Sequence, residues 1–104
     1  MESKVFKFGG ASLRTADAIR NVSRIVELHR DDKLLIVASA MGKATNALEK
    51  LLELATGGRP FEKEWQELKD YHTSVAKELF SPDHKVFQSI DDQFDKITVA
   101  LQLK

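Results

Sequence analysis

The chain has 104 residues, 42% of them hydrophobic and 31% charged, which suits one globular domain at most. Sixteen Lys and Arg balance sixteen Asp and Glu, so bulk charge gives no reason to expect nucleic acid or a membrane surface as a partner. Cysteine is absent, which excludes disulfides, thiolate metal sites and cysteine nucleophiles.

The first element expected is a strand, Val5 to Phe8, rich in aromatic and β-branched residues and stopped by Gly9-Gly10. A helix should follow from Thr15, its N-cap, to Arg30, because Ile19, Val22, Ile25 and Val26 recur at helical spacing. Asp31-Asp32 supplies the turn. The continuous apolar run Leu34 to Ala38 reads as a parallel strand covered on both faces. Strand, helix and strand make a βαβ unit. A second helix should run from about Lys43 to Ala55 with Leu48, Leu51 and Leu52 inward. Glycine and proline at Gly57-Gly58-Arg59-Pro60 end it.

Beyond Pro60 the pattern changes. Phe61, Trp65, Leu68, His72, Val75 and Leu79 form one apolar stripe, and Phe87, Ile90, Phe94, Ile97 and Leu101 form another. We expect two amphipathic helices in an antiparallel hairpin, the second opened by Ser81 as N-cap with Pro82 at its first position. Two strands alone make a thin parallel sheet, so the chain reads as the front end of something larger. The N-terminus MESKVFKF lacks a signal-type apolar stretch, and no run reaches the ~20 apolar residues of a membrane span. The expected setting is cytoplasmic.

Open parallel sheets bind ligands beyond the carboxyl ends of their strands. Two loops lie there, Gly9 to Arg14 and Ser39 to Asn46, and neighbouring strands should set them side by side. In the first, Gly9 and Gly10 let backbone N–H groups approach an anion, with Ser12 nearby. Lys7 precedes them inside a strand expected to be mostly covered, where an ammonium needs a partner. Two readings stand: Lys7 meets an anionic ligand at the strand end, or it snorkels to the sheet edge while the glycines turn the chain. The second loop, ASAMGKATN, is not a P-loop: Val37 replaces the first glycine of that pattern, and Ala44 replaces the Ser or Thr after the lysine. Its small and hydroxyl residues, Ser39, Ala40, Gly42, Thr45 and Asn46, suit either a small anionic substrate or a capped helix start.

Other candidates are weaker. His72 falls on the Trp65 stripe and reads as a packed helix residue, and the stripe itself as core or interface. His29 and His84 have no ligand spacing. Asp91, Asp92 and Asp95 read as a solvated helix face.

KFGGAS (Lys7 to Ser12), followed about thirty residues later by VASAMGKATNALEKLLELA (Val37 to Ala55), closely resembles the N-terminal region of aspartokinases, members of the amino acid kinase family. YHTSVAKELF (Tyr71 to Phe80) is similar to the segment that follows in that family. The resemblance implies an α/β three-layer sandwich of the amino acid kinase (carbamate kinase-like) type. Residues 1–104 would be the N-terminal part of one kinase domain: a βαβα unit over 1–56 with both ligand loops, then a helical hairpin over 61–104. The remaining kinase domain and regulatory ACT domains would lie elsewhere.

By the same resemblance the whole protein transfers the γ-phosphate of ATP, with Mg2+, to the β-carboxylate of L-aspartate, toward lysine, threonine and methionine. This stretch alone would be inactive; its open strand edge and uncovered apolar surface, rather than the resemblance, lead us to expect self-association into a homo-oligomer. Lys7 would stabilise the transferring phosphoryl group, with Gly9, Gly10 and Ser12 holding phosphates. Ser39, Ala40 and Thr45 would lie on the aspartate side. Ala11 departs from the family's threonine or serine and removes one hydroxyl near the phosphates. The alternatives are another family member acting on glutamate or acetylglutamate, or a non-catalytic assembly module built on the hairpin.

Overall fold

A computed structural model describes residues 3–103. The chain divides into two compact units, Met1–Ala44 and Thr45–Lys104.

In the first unit, β1 (Ser3–Phe8) and β2 (Lys33–Ala38) pair in parallel, with Phe8 opposite Ala38. Between them runs α1 (Ala16–Leu28). Thr15 caps it as its sequence implies: the hydroxyl accepts the Ala18 N–H at 3.1 Å, and Thr15 itself is extended. Side chains alternate along a strand, so Lys4, Phe6 and Phe8 share one face and Val5 and Lys7 the other. The first face meets α1, whose C-terminal His29 packs edge-on against Phe6 with ring centroids 5.0 Å apart.

One cluster in this unit escaped the sequence reading. The Lys4 ammonium lies 3.0 Å from Asp32 Oδ2, and His29 Nδ1 lies 3.3 Å from both groups. It ties the start of β1 to the end of α1 and to the turn before β2. The sequence marks Asp31-Asp32 only as a turn, because charges far apart in sequence give no signal of meeting.

The apolar run of β2 is not covered on both faces. Val5 is 66% exposed and Leu35 61%, and Ile36 and Val37 are also open. The described sheet has two strands, so its outer face and the far edge of β2 have no neighbouring strand.

In the second unit, α2 (Ala44–Thr56) buries Leu51 to 1% exposure, together with Leu54. Leu48 and Leu52, expected inward, are exposed. Positions 47, 51 and 54 make the covered line, and 48 and 52 fall on the adjoining, open one. The helix ends as expected: Gly58 takes φ +68°, a left-handed value that favours glycine, and Arg59 N–H donates to the Leu54 carbonyl at 2.8 Å.

α3 (Glu62–Leu79) and α4 (Val86–Gln102) form the antiparallel hairpin. Trp65 meets Phe94 edge-on at 5.8 Å, and Lys69 meets Asp91 at 3.1 Å, so later residues of one helix face earlier residues of the other. Both stripes are covered, with Leu68, Val75, Phe94 and Leu101 buried. The Trp65 indole N–H donates to the Phe94 carbonyl at 3.2 Å, which satisfies its one polar atom. His72 packs as expected, with Nδ1 2.9 Å from the Leu68 carbonyl.

The expected cap at Ser81 is wrong. Ser81–His84 is a turn, closed by His84 N–H on the Ser81 carbonyl at 3.0 Å, and the Ser81 hydroxyl donates to Asp83 instead. Helix α4 begins later, and His84 Nδ1 accepts the Val86 N–H at 3.0 Å. A Ser-Pro pair serves a turn as readily as a helix start. No helix among the described residues is long and apolar enough to cross a membrane.

The hydrogen-bonded Lys4 ammonium, and after it His29, hold the Asp32 carboxyl below its usual range. A carboxyl with a lowered folded-state pKa stabilises the fold above its unfolded value, about 3.9, and loses that contribution as pH falls through the folded value. We expect Asp32→Asn to be less stable than the parent between pH 5 and 7, with the gap closing below about pH 4. Urea unfolding across that pH range measures it.

Candidate functional site

Parallel pairing fixes where the two loops go. Past the last register pair, the Ser39 N–H donates to the Phe8 carbonyl at 2.9 Å, so both strands end at the same level. The first loop then closes a single 3-10 turn, Gly10–Leu13, in which Ser12 N–H donates to the Gly9 carbonyl at 3.1 Å. Farther on, Gly42 N–H donates to the Gly10 carbonyl at 3.1 Å. The two loops therefore lie side by side, as their places in the βαβ unit require.

The two glycines of the first loop differ. A Cβ on Gly10 would stand 2.6 Å from the Gly42 carbonyl oxygen and 3.4 Å from that of Ala40, so close backbone contact demands glycine there. A Cβ on Gly9 would meet nothing within 4 Å, and Gly9 has an ordinary extended backbone, φ −81° and ψ 178°. Nothing in the described residues requires glycine at position 9. Its backbone stands open to approach from outside.

Lys7 is exposed on the outer sheet face, opposite Val37, and makes no hydrogen bond or ion pair among the described residues. The expectation of a covered strand fails here for the same reason as in β2: the sheet of the described residues has two strands. Its charge is hydrated, so burial does not force a partner on it. Ser12 and Ser39 are also exposed, and neither hydroxyl bonds to any described residue. The Ser12 amide is committed to its own turn, which leaves only its hydroxyl for a ligand.

Ala40 is exposed in the second loop, with its carbonyl toward Gly10. Thr45 is exposed at the second position of α2, just after buried Ala44. The side chains of Ser39, Thr45 and Asn46 form no hydrogen bonds among the described residues, so none of them caps α2. That removes the plain reading of ASAMGKATN as a capped helix start. The turn is made by Gly42, at a left-handed φ of +54°, with Ala44 N–H on the Met41 carbonyl at 3.0 Å.

An open groove of about 350 Å³ lies at the other end of the sheet, lined by Ser3, Lys4, Val5, Lys33, Leu34 and Leu35. It contains neither loop. Among the described residues no group of three or more His, Asp or Glu side chains comes together as a metal site.

A lysine-bearing parallel strand, an open glycine after it and a hydroxyl-rich neighbouring loop at the same strand ends make this an α/β unit with both loops at the carboxyl end of its sheet. The chain belongs to the amino acid kinase family, whose model matches residues 2–90. Its relatives are more particular. It is 39% identical to aspartokinase 2 of Arabidopsis thaliana chloroplasts over an aligned length of 79 residues, with 72% of this chain and 14% of that protein covered. It is likewise 39% identical to an aspartokinase of Chlamydia trachomatis over 75 residues, 72% of this chain and 16% of that one. The fold is similar to that of the aspartate kinase of Clostridium acetobutylicum, with a TM-score of 0.74 at 25% identity over 89% of this chain and 23% of the other. The chain thus spans less than a quarter of each of these relatives.

The contrast between the glycines has a measurable outcome. We expect Gly10→Ala to destabilise the fold by roughly 1–3 kcal/mol, the usual cost of forcing extra volume into a tight contact. Gly9→Ala should lie within about 1 kcal/mol of the parent, because its backbone already suits alanine. Urea midpoints of the two variants distinguish these outcomes.

Proposed function

We propose that the chain is the N-terminal part of an aspartate kinase catalytic domain, with the 1–56 unit carrying both ligand loops and the 61–104 hairpin beside it in sequence. The remaining kinase domain and regulatory ACT domains complete the protein. The full-length enzyme, a cytoplasmic homo-oligomer in this reading, transfers the γ-phosphoryl group of ATP to the β-carboxylate of L-aspartate. This supplies the first committed intermediate toward lysine, threonine and methionine. The observation that carries the reading is Gly9, a glycine that nothing in the described residues needs. It stands open at a strand end, two residues after an ion-unpaired Lys7. Such a position is explained by a ligand that must reach the backbone.

Phosphoryl transfer needs positioning and charge stabilisation more than covalent catalysis. A β-carboxylate oxygen attacks the γ-phosphorus, the bond to the bridging oxygen breaks, and ADP leaves with that electron pair. The Lys7 ammonium stabilises charge on the equatorial oxygens in transit. Gly9 and Gly10 let the backbone approach the phosphates, and the Ser12 hydroxyl donates to them. Ser39, Ala40 and Thr45 face the amino acid. ATP fits this loop, because the space over Gly9 is open and the nearby hydroxyl is free. The Mg2+ implied by resemblance finds no set of carboxylates among the described residues, so no step is routed through it.

In the full-length enzyme, Lys7→Ala should lower aspartate-dependent ATP turnover by about 10²–10³-fold, the scale of losing one preorganised charge-stabilising group. In the 104-residue chain the same substitution should leave the urea midpoint unchanged, because Lys7 is exposed and unpaired among the described residues. Coupled measurement of ADP release with and without aspartate reads the effect. Unchanged turnover would remove Lys7 from the chemistry.

A further inference from the structure

We infer that Gly42 is a positioning residue that sets the spacing between the phosphate-side and amino-acid-side loops, so that its loss misaligns two bound substrates without releasing either. The inference rests on the kinase reading above.

Three observations lead to it. The ladder pairs Phe8 with Ala38, and a straight continuation would set Gly10 opposite Ala40. Phe8 accepts from Ser39, one residue past its register partner, so Gly10 would accept from Met41; it accepts instead from the Gly42 N–H, one residue farther on. The second loop therefore carries one extra residue before this contact and must turn back to meet the first. The residue that turns it back is Gly42, whose φ of +54° lies where side-chain-bearing residues rarely go.

The contact it makes is backbone on backbone. The Gly42 carbonyl oxygen would be only 2.6 Å from a Cβ on Gly10, so the loops approach as closely as two glycines allow. With the Ser39–Phe8 hydrogen bond as a second fixed point, the latch defines both the separation and the relative orientation of the loops. Ser12 extends from one loop, and Ser39 and Ala40 lie on the other.

The energetic consequence falls on the transfer step. Each loop keeps its own ligand contacts when the latch is lost, so individual affinities survive. In-line transfer, however, needs the reacting atoms about 3–3.5 Å apart, and a misplacement of about 1 Å costs on the order of 10²-fold in rate.

The test uses the full-length enzyme that contains this chain. Gly42→Ala should lower kcat by about 10²-fold while KM for ATP and for aspartate stays within about 3-fold. Gly42→Asn should recover most of kcat, because asparagine tolerates left-handed backbone better than other side-chain-bearing residues. Thermal melts confirm folding, and if the alanine variant does not fold, the kinetic split of the asparagine variant decides. A wild-type kcat in Gly42→Ala, a rise in KM with kcat preserved, or equal kcat in two folded variants would each overturn the positioning role. Hydrogen exchange of the Gly42 amide gives a readout independent of activity. Protection supports the latch, and exchange as fast as an exposed loop overturns it whatever the enzyme does. A wild-type enzyme with no aspartate-dependent turnover defeats the kinase reading and the positioning role together, while a protected amide would still leave the latch as structure.

Discussion

The parallel pairing of β1 with β2 is the constraint on which the functional end of the molecule depends. Its register ends both strands at one level, and the Ser39–Phe8 hydrogen bond extends it one step into the loops. A parallel pair needs a long crossover, so α1 and its Thr15 cap are part of the same requirement. At the other end, Lys4, His29 and Asp32 fasten that crossover back to β1. The loops can be short, irregular and polar because the frame beneath them is regular.

The hairpin obeys different physics. Its two stripes meet along their length, and Trp65, Phe94 and Leu68 are held by apolar contact with the indole N–H satisfied by a backbone carbonyl. Lys69 adds an ion pair with Asp91 and lies 5.3 Å from the Trp65 ring centroid, so its charge is used on the edge of this core. A helical pair of this kind is stabilised by periodicity alone and asks little of any single turn residue.

What the sequence made legible follows from that difference. Periodic signals worked: both hairpin stripes, the Thr15 cap, the glycine stop after α2 and the two strands all stand where spacing put them. Signals that depend on neighbours failed. Leu48 and Leu52 carry the right residue type on the wrong side of a narrow covered line. Ser81-Pro82 fits two local structures, and the later start of α4 selected the turn. For the site, the loops and their adjacency were readable from the order strand, helix, strand. The contact between Gly10 and Gly42 was not, because it depends on a one-residue displacement invisible in composition. The apolar neighbours of Lys7 suggest a covered lysine, yet it is exposed and unpaired among the described residues, because burial depends on strands beyond the described pair.

Gly9 makes the fold and the site separable under selection. A position where alanine fits the backbone and meets empty space is one where stability alone favours replacement. On the proposed phosphate-holding role, lineages that lose that role should drift at position 9 while keeping Gly10, held by its steric contact. The same asymmetry warns an engineer: a sequence optimised only for thermal robustness would replace Gly9 first, and would do so without any sign of damage in its melting curve.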